Sequence, residues 1–410
     1  MPSKSTDVWV TGIGLMSAAG EGTAAHLAFF DDPGRGPLVD EAGFAPYPVH
    51  RMAEIDMTRQ IPKKSDLKQM ETWQRIGVYA AGLALADAGI AQNPELLSRT
   101  HLVVAAGSGE RDAAVDAKVL DTIAALGDTQ FSAKEILPTA LRPTLFLAQL
   151  SNLLAGNISI VHNVTASSRT FMGEEMAGLS AVENAVRRIS AGQTELVLVG
   201  GALNAERKDL LLGYELGRNL WPHPYAPVWN RNDQGGGFIP GSAGAFLVLE
   251  ARPHAEARGV RAYARIDAVV TDRAERNESG DIRASLSQLF TRIAGNVAPT
   301  PIGVLSGASG VQGPTEEEQA FLGDLGARDF TPAVRAFGSR LGHTVEAQFP
   351  VGLALAALAL GRGRYFASAD NDAVEQPLKT PLQRVLVTGV GHWRGEGLAL
   401  LGPVDGGRIG

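Results

Sequence analysis

Short runs of apolar, mostly β-branched residues that end in small residues recur along the chain. They span Val8–Gly14, Leu102–Gly109, Glu195–Ala202, Ile302–Gly310 and Arg384–Gly391. Because these runs show no polar alternation, they predict strands that are buried on both faces of a sheet. The glycines that close the runs allow a helix to begin close to the sheet.

Helical patterns lie between these runs. Apolar residues at steps of three and four predict helices over Trp73–Ala88 and Glu175–Ala191, followed by Gly89 and Gly192 as C-terminal stops. A nearly uniform apolar stretch, Val351–Leu360, predicts a third helix that is buried on all sides. Alternating strands and helices indicate an α/β fold.

Two pairs of similar segments suggest an internal duplication. VWVTGIG near the start resembles VLVTGVG near the end, and LVVAAGSG resembles GVLSGASG. We therefore expect an N-terminal half over residues 1–250 and a C-terminal half over residues 251–410. The segment ARPHAEARG is the expected linker between the halves.

The composition of the chain excludes several classes of protein. The chain has 410 residues, 45% of them hydrophobic and 20% charged, which excludes a disordered protein. A net charge of −7 without a basic stripe argues against nucleic acid as a partner. The chain lacks a run of about 18 apolar residues and a signal-peptide core, so we expect a cytoplasmic protein with no membrane span.

Common catalytic motifs are missing. The chain has no cysteine, which removes disulfides, thiolate metal sites and a cysteine nucleophile. It also lacks a GxGxxG turn, a GxSxG elbow and local metal-binding histidine pairs, so we expect no cofactor and no metal. A basic cluster of Lys63, Lys64 and Lys68, with Arg59, is either a solvated face or a contact for an acidic carrier protein or a phosphate.

Five ordered segments carry a family resemblance over nearly the whole chain. They are VTGIGLMSAAG, DLKQMETWQRIGVYAAGLALADAGI, the stretch Gly156–Ala202, GGGFIPGSAGAFLVLE and FGSRLGHTVEAQFP. Together they resemble the β-ketoacyl-acyl carrier protein synthases. The resemblance implies a thiolase fold with a duplicated, five-layered αβαβα architecture.

The positions that match the family's catalytic residues differ from it. Glu175 stands where the family has its cysteine, at the start of the central helix. Gly307 stands where the first histidine lies, or Ala308 if the register slips by one, and Gly338 replaces the lysine. Only the second histidine, His343, is kept. The C-terminal gate GFGGTN has become GVGHWRG, in which we interpret His392 as an ordinary loop residue.

These differences predict a subunit that does not condense acyl chains by itself. The resemblance is to the chain-length factors of type II polyketide and aryl polyene synthases, whose motif reads like CAEQAGGLDAL where this chain has MGEEMAGLSAV. It implies an active ketosynthase as partner, in a heterodimer or heterotetramer, and acyl carrier protein as a second partner. Leu145 and Phe146 match the family segment that crosses the dimer axis, as tunnel wall or as ordinary packing.

Several alternatives stay open at this point. Glu175 is a structural acid at a helix start, a plug or interface residue in a degenerate site, or a general acid or base. His343 either hydrogen-bonds within the old site or keeps a catalytic role. The rival functions are an acyltransferase or hydrolase that uses Ser167, Ser168 or Glu175, and a homodimer that binds acyl chains. The sequence leaves open whether the product is an aromatic polyketide, an aryl polyene or a specialised lipid.

Overall fold

The computed structural model describes residues 6–141, 145, 149–294, 301–368 and 374–404. Within these residues, eleven strands form one hydrogen-bonded sheet network. The strands are β1 (Val8–Ser17), β2 (Gly20–Glu21), β3 (His101–Ala106), β4 (Ser168–Met172), β5 (Leu196–Leu203), β6 (Ala243–Ala251), β7 (Ala264–Asp272), β8 (Pro301–Ser306), β9 (Thr331–Ala336), β10 (Val385–Val390) and β11 (Glu396–Gly402).

Helices connect the strands and cover the sheet. In chain order they are α1 (Gly22–Asp31), α2 (Lys64–Gln69), α3 (Thr72–Asp87), α4 (Pro94–Arg99), α5 (Ala113–Leu126), α6 (Thr129–Phe131), α7 (Leu137–Ala140), α8 (Leu153–His162), α9 (Glu174–Ser190), α10 (Lys208–Leu216), α11 (Arg252–Arg258), α12 (Asp281–Ala294), α13 (Gln312–Gly326), α14 (Gly338–Leu341) and α15 (Gln348–Gly361). A π-helical turn, Ser132–Ile136, separates α6 from α7. Short 3₁₀ turns lie at Met57–Arg59, Val228–Asn230, Asn232–Gln234 and Val345–Ala347.

The strand order contains an internal repeat. Across the sheet it runs β4-β3-β5-β6-β1-β7-β11-β10-β8-β9, with β2 paired to β1. In the first set, β3 pairs in parallel with β4 and β5, and β6 is antiparallel to β5 and β1. In the second set, β8 pairs in parallel with β9 and β10, and β11 is antiparallel to β10 and β7. The two sets therefore share one topology.

All five strands predicted from apolar runs are present, as β1, β3, β5, β8 and β10. The repeat also shows that, of the two pairs of similar segments, one does not hold equivalent places in the two sets of strands. β3 and β8 hold the same place in their sets, but β1 of the first set corresponds to β7, not to the VLVTGVG strand β10. The division between residues 250 and 251 lies at the end of β6 and stays a prediction.

The core has five layers, as the resemblance implies. Helices α9 and α15 lie between the two sets of strands and share one apolar cluster with their inner faces. Helices α3 and α8 cover the outer face of the first set, and α12 and α13 cover that of the second. Both sheet faces are therefore buried, which explains the uninterrupted apolar runs. No helix among the described residues is long and apolar enough to cross a bilayer.

Helix α3 lies directly on β1 because the strand carries glycine at the contact. The helix begins with a capping box, in which the Glu71 backbone N–H donates to Gln74 Oε1 at 3.0 Å. A Cβ atom on Gly14 would overlap the backbone carbonyl of Ala80 in α3. The close approach of strand and helix therefore requires glycine at this position.

We expect Gly14→Ala to lower the free energy of unfolding by about 3 kcal/mol or more, because backbone atoms must move to admit the methyl group. Gly323→Ala is the matched control, since this glycine lies inside α13 with no atom near its missing side chain. The control should be neutral or more stable by up to about 1 kcal/mol. Urea denaturation measures both variants, and equal stabilities would contradict this packing.

Candidate functional site

Three segments meet at one buried place between the two sets of strands. They are the start of α9, the loop that follows α14, and the loop between β10 and β11. The chain turns sharply from β4 into α9 through Gly173, with φ of +112°, and Glu174, with φ of +42°. This turn places the side chain of Glu175 in the interior at the N-terminus of α9, where the helix dipole favours a negative charge.

The Glu175 carboxylate is held by two histidines. His343 Nε2 lies 2.7 Å from Glu175 Oε1 and donates a hydrogen bond to it, which assigns the proton to that ring nitrogen. His392 Nδ1 contacts the same oxygen. The two imidazole rings are 4.9 Å apart and nearly perpendicular. All three side chains are at least 96% buried.

The surroundings set the charge of this cluster. Burial by itself would raise the pKa of Glu175, but His392 and the hydrogen bond from His343 outweigh it, so the pKa lies well below its usual value. Burial lowers the pKa of His343. At neutral pH the structure therefore holds an ionised carboxylate and a neutral imidazole, joined by an N–H···O bond.

The positions of two predicted site glycines leave little room for larger side chains. Gly307 follows β8, and its N–H donates to Thr388 Oγ1 at 3.1 Å. A Cβ on Gly307 would lie only 2.6 Å from the backbone oxygen of Thr388, so an imidazole cannot be placed there without moving β10. A Cβ on Gly338 would lie 3.2 Å from the carbonyl oxygen of Ala308, which puts Gly338 beside the same loop.

Gln348 joins this loop to the histidine segment. Its Oε1 accepts hydrogen bonds from the backbone N–H and hydroxyl of Thr344, and its Nε2 donates to the Gly307 carbonyl at 3.4 Å. Thr344 is the neighbour of His343 in the chain. The structure therefore brings the segments of Gly307, Gly338 and His343 together.

A cavity of about 400 Å³ lies next to the cluster. Glu174 and Trp393, the chain neighbours of Glu175 and His392, are among its lining residues. The ring of Tyr214 stacks on Trp393 at 5.7 Å with an angle of 7° and forms part of the wall. The cavity is thus bounded by aromatic rings on the side of the β10–β11 loop.

Glu346 is a second buried acid on the cavity wall. Burial, reinforced by the nearby carboxylates Glu175 and Glu174, raises its pKa to about 7. Its Oε2 atom has no hydrogen-bond partner in the structure. Glu346 therefore exchanges its proton near neutral pH.

The two candidate serines lie away from Glu175. Ser168 begins β4, whereas the turn to Glu175 follows the other end of this strand, about 13 Å away at about 3.3 Å per residue. Ser167 Oγ is 2.6 Å from His101 Nδ1 at that far end. The structure thus does not bring these serines to the cluster.

The other predicted contact residues are spread over the surface and the core. Leu145 is buried, and Phe146 lies outside the described residues. Lys63, Lys64 and Lys68 are exposed at and before α2.

A family model for the β-ketoacyl synthase N-terminal domain matches residues 47–255, just over half of the chain. The chain belongs to the β-ketoacyl synthase family. This family membership confirms the resemblance inferred from the motifs.

Relatives of this chain include an acyl-carrier-protein synthase and a polyketide protein. The chain is 26% identical over 269 residues to 3-oxoacyl-[acyl-carrier-protein] synthase 2 of Vibrio harveyi, covering 63% of this chain and 61% of the relative. It is 28% identical to the actinorhodin polyketide putative beta-ketoacyl synthase 2 of Streptomyces coelicolor, covering 62% and 60%. The matched region thus spans about three fifths of each relative's length.

A solved structure shares the whole fold of this β-ketoacyl synthase family chain. The structure titled the ishigamide ketosynthase/chain length factor has a TM-score of 0.80 and 21% identity, and covers 98% of this chain and 100% of that one. At this identity the likeness shows the thiolase fold alone, and it agrees with the layers and strand order described above.

Sequence reasoning missed one member of the cluster. His392 was expected to be an ordinary loop residue; it does lie in a loop, but its ring is buried against Glu175. Metal-binding spacings such as HxxxH join histidines close in sequence, whereas His343 and His392 are 49 positions apart. A usable signal was the histidine in GVGHWRG, at a position where the family motif GFGGTN has glycine.

We expect the difference in unfolding free energy between Glu346→Gln and the native chain to grow by about 3 kcal/mol from pH 4.5 to pH 8. The pKa of Glu346 is about 7 in the folded chain and 4.5 in the unfolded chain. Between these two pH values the unfolded chain ionises more readily, so the folded state of the native chain loses stability as the pH rises. Glutamine does not titrate, so the variant loses no stability through this position over the same pH range. Urea denaturation across the range measures the difference, and a constant difference would contradict a raised pKa.

Proposed function

We propose that this chain is a non-condensing, ketosynthase-like subunit of the chain-length-factor type. It pairs with an active β-ketoacyl synthase and shapes the tunnel in which the partner elongates an acyl chain on acyl carrier protein. The observation that carries the proposal is the buried Glu175 carboxylate, bound by His343 and in contact with His392, at the start of the central helix. By the motif match, this is the place of the family's cysteine.

The chemistry of condensation explains why this matters. The reaction needs a nucleophile that takes the acyl group from a thioester and releases it again, a task for a thiolate. A carboxylate would form an anhydride, and one oxygen of Glu175, Oε1, is already in contact with two imidazoles. The carboxylate is therefore a poor nucleophile, and its Oε1 atom is shielded.

The first catalytic histidine of the family is also missing from this chain. Decarboxylation of a malonyl thioester needs donors that stabilise the developing enolate. Gly307 supplies no side chain, and the backbone of Thr388 occupies the space in which one would begin. Replacing Glu175 alone would therefore not restore a condensing site.

The surface offers a place for the partner at the free edge of β4. This strand is the outermost strand of its set, and its residues are largely exposed. Met172 at its end is 70% exposed, and Ile160 on the neighbouring helix α8 is 68% exposed. An exposed strand edge flanked by large apolar side chains is a template for pairing with another chain.

The cavity reaches this edge. Met172, the last residue of β4, lines the cavity and is also exposed, so a partner bound at this edge would close one wall of the cavity. In this proposal Leu145 and Phe146 belong to the tunnel wall at the interface, and Lys63, Lys64 and Lys68 contact the acidic carrier protein. The names of the polyketide relative and of the ketosynthase/chain length factor structure support the assignment.

The direct experiment is coexpression with an intact ketosynthase from the same source organism, followed by native mass spectrometry. We expect one copy of each chain per dimer, because the exposed apolar edge would be covered by the partner. A chain that stays monomeric, or forms only homodimers while an intact ketosynthase is present, would contradict the proposal. A homodimer that retains lipid would favour an acyl-chain-binding protein instead.

We expect Met172→Asp and Ile160→Asp each to weaken the heterodimer by roughly 30-fold or more, since each buries an unpaired charge at the proposed interface. Leu38→Asp is the matched control, because Leu38 is a partly exposed leucine in the loop after α1. The control should bind normally. Titration of the purified chains gives the dissociation constant of each heterodimer. Unchanged binding by both interface variants would show that the β4 edge is not the interface.

A further inference from the structure

The cluster of Glu175, His343 and His392 has a property that a merely inactivated synthase site does not need. Its three side chains each offer one ligand atom, and these atoms all lie within 4.8 Å of one another. They come from three separate segments of the chain, and all three residues are buried. Two imidazole nitrogens and a carboxylate oxygen form a common ligand set for a divalent transition metal.

We propose that Glu175, His343 and His392 bind a divalent transition-metal ion, with Zn²⁺ as the ion whose ligand preference fits best. The inference is independent of the chain-length-factor assignment, because it concerns only these three side chains. Catalytic zinc sites commonly use two histidines and one glutamate and leave a fourth position for water.

The hydrogen-bonding state of the histidines supports the site. Neither ring nitrogen of His392 has an aligned hydrogen-bond partner, although Nδ1 touches the Glu175 carboxylate. His343 faces the carboxylate with Nε2, so a metal at this nitrogen would take the place of the proton that it now donates to Glu175. A buried polar atom without a partner costs about 1–3 kcal/mol, and a metal bond to His392 would remove that cost.

The spacing of the donors is compatible with an ion after small shifts. Metal–nitrogen and metal–oxygen bonds of about 2.0–2.1 Å place tetrahedral ligands about 3.3 Å apart. Glu175 Oε1 and His343 Nε2 are 2.7 Å apart, so a movement of less than about 1 Å opens the site. Such a shift is within the range of side-chain rotations.

The cluster adjoins a cavity. Glu174 and Trp393, the chain neighbours of Glu175 and His392, line this cavity of about 400 Å³. The three donor side chains themselves are buried.

The test uses tag-free protein that is stripped with a chelator and then loaded with Zn²⁺ or Co²⁺. We expect one equivalent of metal per chain by elemental analysis, a visible absorption band typical of four- or five-coordinate Co²⁺, and a higher Tm with Zn²⁺. Absence of stoichiometric binding in the native chain would overturn the proposal, whatever the variants do.

Variants identify the ligands. His392→Gly restores the glycine of the matching family motif, and Glu175→Gln keeps the shape of the side chain, so both should fold. Each should weaken Co²⁺ binding by more than the roughly 10–100-fold that loss of an outer hydrogen bond costs. His223→Ala, an exposed histidine, is the control and should bind normally. Native affinity and an unchanged Co²⁺ spectrum in both variants would show that the metal lies elsewhere and refute the site.

Discussion

A charge buried at the start of the central helix is the constraint on which the rest of the site depends. An ionised carboxylate inside a protein is unfavourable unless donors and positive dipoles surround it. Glu175 meets this requirement through the N-terminus of α9, the N–H of His343 and the contact with His392. Removing one partner from such a buried group costs about 3–5 kcal/mol, so the three segments are energetically tied together.

The duplicated fold explains how distant residues reach this place. Helices α9 and α15 lie side by side between the two sets of strands, and the loops at their ends face one another. The backbone is strained on both sides of the cluster. Glu174 has φ of +42° and Val345 has φ of +43°, conformations that cost about 1–3 kcal/mol each. Strain of this kind is retained where the fold must hold a side chain in one position.

Much of the fold and part of the site could be predicted from the sequence. The strands β1, β3, β5, β8 and β10 are continuous apolar runs because both of their faces are buried, and that pattern is visible locally. β4 was not predicted because it is an exposed edge strand without an apolar run. Glu175 and His343 were found through motif register, whereas their meeting with His392 depends on tertiary packing that no local spacing reveals.

Local sequence similarity also does not identify which strands are equivalent in the repeat. Buried strands that end against helices favour the same few residue types, so VWVTGIG and VLVTGVG look alike without holding equivalent places in the repeat.

Whether this chain keeps a synthase's fold without its condensing chemistry can be measured on the purified chain alone. It is incubated with an acyl-loaded and a malonyl-loaded carrier protein, and products and intact protein mass are measured. We expect neither a 3-oxoacyl product nor an acyl adduct on the chain, and the appearance of a 3-oxoacyl product would show that the chain condenses by itself.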